Sequence, residues 1–209
     1  MTTKESLAWR YATAQFDVTK TIPETDLTDI LEAGNLAATA YGLQPFSFVV
    51  VTDQAKKEAL VPVAYNQEHV RDNSALIVIA ARTDIDEAYI TEYTTRIETL
   101  RGLPSGTVDG YKNMMIGDLT NKTEEARLIW AQKQVYIALG TMMVAASEKG
   151  IDNHAMEGFN PMEFNKILGL DARNLHATVL LALGYRSTED QTQNYAKVRK
   201  QLADIVVRI

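Results

Sequence analysis

The sequence predicts one domain in which helices and a β-sheet share a core, α/β or α+β in class. Three observations predict it. Helical and strand signals alternate along the 209 residues. Two short runs, "FSFVVVT" at 46–52 and "ALIVIAAR" at 75–82, are rich in β-branched and aromatic residues without clean alternation, the pattern of strands covered on both faces. A segment from about Thr123 to Lys149 has helical length and is apolar nearly all round at its centre, "QVYIALGTMMVAA". Such a helix needs cover on every side. A chain of this length hardly supplies it, so a second copy is one source of the missing cover.

The elements follow in order. "TTKESLAWR" reads as a short helix capped by Thr2 or Thr3. "PETDLTDILEAGNLA" has Pro23 near its first turn, then Glu24 and Asp26, where the helix dipole favours acids. Leu27, Ile30, Leu31 and Gly34 form its apolar face. The two strand runs come next. Ile85, Tyr89, Tyr93, Ile97 and Leu100 then recur at helical spacing up to Arg101. "GLPSGTVDG" breaks that pattern, and a second helical stretch covers 110–118. Thr123, or Asn121 with Glu124, caps the long helix. "HAMEGFNP" at 154–161 reads as a half-buried loop, and Asn160-Pro161 opens a short helix ended by Gly169. "HATVLLALGYR" is a third strand, and "AKVRKQLADIVVRI" is extended or helical. No repeat, linker or low-complexity tract divides residues 1–209.

Composition excludes several functions. With 27 acidic and 21 basic residues the net charge is −6, so there is no basic footprint for nucleic acid. There is no cysteine, hence no disulfide, thiolate metal site or thiol nucleophile; this fits a reducing cytoplasm. The N-terminal residues lack the apolar region of a secretory leader, and no apolar run reaches the length of a membrane span. P-loop, GxGxxG and GxSxG patterns are missing. His69, His154 and His176 are dispersed, without metal-ligand spacing.

The remaining candidates are weak one by one. Arg10 ends the first helix, where a cation suits the dipole. Lys197 and Arg199, two apart, face the same way on an extended segment and suit either an anion or water. Gln44-Pro45 stops a helix before a strand. Glu157-Gly158 is a solvated turn or a place where backbone approaches a ligand closely.

Taken in order, these stretches resemble one family. "AWRYATAQFD", "NLAATAYGLQPFSFVVV", "NQEHVRDNSALIVIAA", "KQVYIALGTMMVAASEKGIDNHAMEGFNP" and "KVRK" are similar to successive segments of FMN-dependent nitroreductases, over nearly the whole chain. The oxygen-insensitive NAD(P)H nitroreductase and dihydropteridine reductase branch is the most similar. The resemblance implies an α+β fold with a central mixed β-sheet flanked by helices. It also implies an intertwined homodimer with the long helix at its interface and FMN sites between subunits. Arg10, Lys197 and Arg199 would then clasp the FMN phosphate, with Tyr11 and Ala12 beside them; three cations on a dianion make a charge-assisted site. Gln44, Asn66, His69 and Gln134 would line the flavin. Met156, Glu157 and Gly158 would bring backbone amides to the ring near N5. Tyr41, Phe46, Met115 and Ile116 would form the substrate pocket.

Several positions depart from the family pattern. Ala12 replaces a usual serine. Ala14 and His69 stand where the branch often has lysines, which would stabilise negative charge on the reduced ring. A protonated His69, or Arg71, would restore that charge. Phe46 replaces a usual tryptophan. The implied activity is ping-pong hydride transfer from NADH or NADPH through flavin N5 to nitroaromatics, quinones or related acceptors. The cofactor carries the hard step, so no catalytic triad is expected. Two rivals are a non-catalytic flavin-binding dimer and another flavin enzyme of this fold, such as a dehalogenase.

Overall fold

A computed structural model describes residues 1–209. Twelve regular elements are present: α1 Thr3–Trp9, α2 Glu24–Asn35, β1 Phe46–Val51, α3 Gln54–Leu60, α4 His69–Asp72, β2 Ala75–Arg82, α5 Glu87–Arg101, α6 Asp109–Leu119, α7 Glu124–Glu148, β3 Asp152–Met156, α8 Pro161–Leu168 and β4 Leu175–Gly184. Helix α1 starts in a capping box between Thr2 and Glu5. Thr123 caps α7, and the Asn160 side chain accepts from two N–H groups of α8.

The sheet runs β1-β2-β4-β3. All three pairings are antiparallel. The mixed sheet implied by the resemblance is therefore corrected for these four strands. Each pair is linked so that the chain re-enters antiparallel, and parallel pairing appears only as an isolated bridge between Ala12 and Asn153. The two central strands explain the unalternating runs. Ile77, Ile79, Leu181 and Leu183 enter one core with Ile30, Val135, Leu139 and Met142. Leu76, Val78, Leu180 and Ala182 enter a second core with Leu60, Phe159, Phe164 and Leu170. Both faces are covered, so both sets of alternating residues must be apolar.

Helix α7 lies across the first core and presses on α2. A Cβ at Gly34 would stand 2.7 Å from Met142 Cγ and 2.8 Å from Phe48 Cζ, so only glycine permits this approach. Ala131, Val135, Ala138, Met142 and Ala146 of α7 are buried. Ile129, Tyr136 and Ile137 are exposed on the same helix. The C-terminal segment forms neither strand nor helix beyond a 3-10 turn at Leu202–Asp204. Its Val198, Leu202, Ile205 and Val207 lie exposed, because no strand or helix face of this chain covers them. No helix is long and apolar enough to cross a membrane.

Candidate functional site

The residues at 152–156 form a strand, not a loop, and that strand organises the site. Arg10 follows α1 and reaches β3: its Nε donates to Asn153 Oδ1 at 2.9 Å, and Nη2 donates to the Tyr11 carbonyl at 2.9 Å. Asn153 is fully buried and donates in turn to Ser147 Oγ at 3.0 Å. Lys197 Nζ donates to the Leu7 carbonyl at 2.6 Å and to the Arg10 carbonyl. Burial lowers the pKa of Arg10, and Arg199 lowers it further. Burial lowers that of Lys197 too, followed by repulsion from Arg10 and Arg199. The three cations therefore feel one another. None of them has a carboxylate ion-pair partner. Asp152, the nearest acid in sequence to Asn153, accepts from the Arg186 Nε and backbone N–H, each at 2.8 Å.

Tyr11 is committed to structure. Its hydroxyl donates to Asp190 Oδ2 at 2.9 Å, and Arg186 lies 4.6 Å over its ring. Burial and the Asp190 hydrogen bond raise its pKa. Ala14 and Gln15 also donate backbone N–H groups to Asp190, at 2.9 and 3.2 Å. Burial alone would raise the Asp190 carboxyl. Hydrogen bonds from Thr192, the Gln15 backbone and Tyr11 together hold it below its ordinary value. The Tyr11 hydroxyl thus donates its hydrogen bond to Asp190 and not to a ligand.

The other end of the site is a turn held between two loops. Tyr65 and Asn66 adopt left-handed backbone conformations, φ 53° and 59°. The next residue, Gln67, donates to the Gly158 carbonyl at 2.6 Å and to the Ala64 carbonyl at 2.9 Å. A Cβ at Gly158 would stand 3.1 Å from Gln67 Nε2. Asn160 N–H donates to the Val63 carbonyl. Asn66 is exposed beside this turn. The backbone N–H groups of Glu157 and Gly158 donate to no backbone group. Tyr136 Oη, from α7, donates to Glu157 Oε1 at 2.5 Å. Burial and that carboxylate push the Tyr136 hydroxyl up to about 12. The Met156 side chain is buried in the second core, so only its backbone faces the turn.

Between the two ends, the rings of His69 and His154 stack at 4.2 Å and 15°. Burial, then repulsion from His154, pushes His69 down to about 4. It is neutral at pH 7, which corrects the protonated His69 considered from sequence. Arg71 does not replace it, being held by both carboxylate oxygens of Asp72 at 2.6 and 2.9 Å.

The pocket residues fare unevenly. The segment 39–44 is strained, with positive φ at Tyr41, Gly42 and Gln44. Hydroxyls pin it: Tyr93 and Tyr111 donate to the Tyr41 carbonyl at 2.7 and 2.9 Å, and Tyr89 donates to that of Gln44 at 3.0 Å. Gln134 accepts from Ala40 N–H at 2.8 Å and donates to the Trp130 carbonyl at 3.2 Å, so it holds this loop. The Gln44 side chain turns back onto Asn35. Tyr41 packs on Trp130 and bonds Asp118. Phe46 lines a 300 Å³ cavity with Tyr89 and Tyr93. Met115 is fully buried in the first core, which removes it as a pocket wall; its neighbour Ile116 is only half buried. A 430 Å³ cavity lined by Lys57, Arg71 and Asn73 lies between α2, α3 and α4, away from the cations.

Asn153, His154, Gln67, Tyr136 and Asp190 are the site residues that motif reading misses. One signal was available: polar Asp152, Asn153 and His154 in succession after a long apolar helix.

The family model described as the nitroreductase family matches residues 7–185. A Staphylococcus haemolyticus protein, provisionally named an NAD(P)H nitroreductase, is 33% identical over 206 residues, covering 95% of this chain and 93% of the other. The crystal structure of the nitroreductase-like ydfN of Bacillus subtilis superposes with a TM-score of 0.88 at 22% identity, covering 99% of this chain and 98% of that one. A nitroreductase-like protein of Exiguobacterium sibiricum, crystallised with FMN, gives 0.85 at 22% identity, with coverage of 100% and 98%. The α+β fold defines the class, and the match over residues 7–185 together with the 33% identical relative shows that the chain belongs to the nitroreductase family.

Proposed function

We propose that this protein is an FMN-dependent NAD(P)H oxidoreductase, one FMN-binding domain per chain, acting as a homodimer in the cytoplasm. The observation that carries the reading is the gathering of Arg10, Lys197 and Arg199, without any carboxylate partner, beside β3. Arg10 is half-buried and Lys197 and Arg199 are exposed beside it, so the three repel one another without a counter-charge, and a phosphate dianion supplies it. The rest of the site fits FMN as well. The free N–H groups of Glu157 and Gly158 suit the polar edge of a flavin ring. Gln67 allows no side chain at 158 without moving.

When bound, FMN takes electrons from NADH or NADPH and passes them to an acceptor such as a nitroaromatic or quinone. The chain's residues bind and orient. Arg10 is aimed by Asn153, Lys197 is anchored on the α1 carbonyls, and Gly158 is fixed through Gln67. Lys197 and Arg199 are exposed on the single chain, and so are Ile129, Tyr136 and Ile137 of α7. The outer edge of β1 is unpaired, and the apolar C-terminal segment is uncovered. A second copy would close all of these together. A non-catalytic flavin-binding dimer is the second reading, favoured by the neutral His69 and by Ala14.

One experiment separates the readings. The absorbance spectrum of the purified protein is recorded anaerobically with added FMN, before and after NADH or NADPH. A bound flavin spectrum that bleaches is expected. A bound flavin that persists with both nucleotides selects the non-catalytic reading. No bound flavin overturns both.

A further inference from the structure

The stacked histidines join the two ends of the site. His154 follows Asn153, which aims Arg10, and His69 follows the loop that holds Gly158. His154 Nδ1 lies 2.8 Å from the Thr13 carbonyl, which can only accept, so Nδ1 carries the hydrogen and Nε2 is the titrating nitrogen. His69 Nε2 is buried and has no partner in the chain. That nitrogen is therefore not committed to another group of the chain.

We propose that the His69–His154 pair is the proton-accepting element of this site, taking up one proton from solvent, and only one, when a phosphate dianion settles against Arg10. The proposal rests on the FMN reading above. Two charged rings 4.2 Å apart repel strongly, so the pair shares a single proton. The groups facing the pair set its balance. Arg10 repels a charge on His154, while Asp190 attracts one. Asp72 attracts a charge on His69. Burial disfavours charge on both rings. A dianion at Arg10, Lys197 and Arg199 offsets the repulsion that Arg10 exerts on His154. Protonation then becomes easier, and by reciprocity FMN binds the protonated pair more tightly.

The test reads the rings directly by nitrogen-15 NMR of the imidazoles across pH. The chain has three histidines, so His69→Gln and His154→Gln variants assign the pair and His176 serves as reference. In flavin-free protein both rings are expected to be neutral at pH 7, with the pair titrating below the ordinary imidazole range. With FMN bound, one proton is expected on the pair with a midpoint at least one unit higher, equivalent to at least tenfold tighter FMN binding to the protonated form. Riboflavin, which lacks the phosphate, is expected to leave the midpoint unmoved. A pair that stays neutral with FMN bound, or that takes two protons, overturns the proposal; so does an equal shift with riboflavin. Failure of FMN to bind, read by unquenched flavin fluorescence, overturns the FMN reading instead.

Discussion

Asn153→Ala is the substitution that separates aiming from mere packing. Asn153 is fully buried and uses both ends of its carboxamide. Its Oδ1 accepts from a cation, a bond worth about 1.5–3 kcal/mol, and its Nδ2 adds about 1 kcal/mol through Ser147. Ser147 keeps its own bond to the Met143 carbonyl at 2.6 Å, so the second loss is modest. The sum is about 2–4 kcal/mol. For a chain of this length each kcal/mol moves Tm by about 2–4 °C. A fall of roughly 5–15 °C is therefore expected by thermal melt. Arg10 keeps only Nη2 contacts to the carbonyls of Tyr11, at 2.9 Å, and of residue 153, at 3.4 Å, so flavin fluorescence titration should give FMN binding about tenfold weaker, near 1.4 kcal/mol. A cycle with Arg10→Ala checks the route: the two losses in FMN affinity should couple by at least about 1 kcal/mol. Additive losses, or an unchanged affinity in a destabilised protein, would refute the claim that Asn153 aims Arg10.

Three further outcomes follow from the geometry. Gly42→Ala puts a Cβ 2.5 Å from the Tyr93 hydroxyl at φ 70°, and should cost about 1–3 kcal/mol in denaturant unfolding while breaking the Tyr93–Tyr41 bond. Tyr136→Phe removes the hydroxyl on Glu157 from an exposed position; Tm should move by no more than a few degrees, about 1 kcal/mol, while FMN affinity falls several-fold. Asp190 has a folded pKa below its unfolded value near 4, so its contribution is present above that value and lost as pH falls through the folded one. Asp190→Asn should be less stable at pH 7 and show a flatter decline below pH 4; parallel acid-unfolding curves would contradict this.

Much of the fold is legible because its signals are local. Thr2, Thr123 and Asn160-Pro161 start helices by satisfying exposed N–H groups, and Gly169 ends one in a left-handed conformation, φ 65°. β1 and β2 are legible because both faces of the sheet are covered. β3 is not, because Asp152, Asn153 and His154 are polar and their partners lie on α1, α7 and the 186–190 turn. Nothing near them in sequence announces those partners. α3 carries a cap, Asp53, but little apolar periodicity. For the proposed site, Arg10, Lys197 and Gly158 are nominated by the family resemblance. Met115 and Tyr11 show the limit of that route. A matching position does not say which way its side chain points; packing of α6 against α5 decides it for Met115, and the bond to Asp190 for Tyr11.

The departures at Ala12 and Ala14 make sense once the backbone is considered. Ala12 pairs with Asn153 through a parallel bridge, and Ala14 gives its N–H to Asp190. Both bonds use main-chain atoms, which any residue other than proline supplies. Segment 10–15 therefore keeps its path without a side chain at 12 or 14. The side chains that fix it sit elsewhere, on Asn153 and Asp190. What Ala14 removes, on the proposed FMN reading, is positive charge near the ring end of the site, and His69, held neutral by burial, does not restore it in the free protein. On the proposed FMN reading, the chain keeps the cations that would grip an anionic phosphate and lacks fixed charge at the opposite end. Charge there must come from a proton taken up on binding or not at all, and that is why the titration of His69 and His154 bears on chemistry as well as affinity.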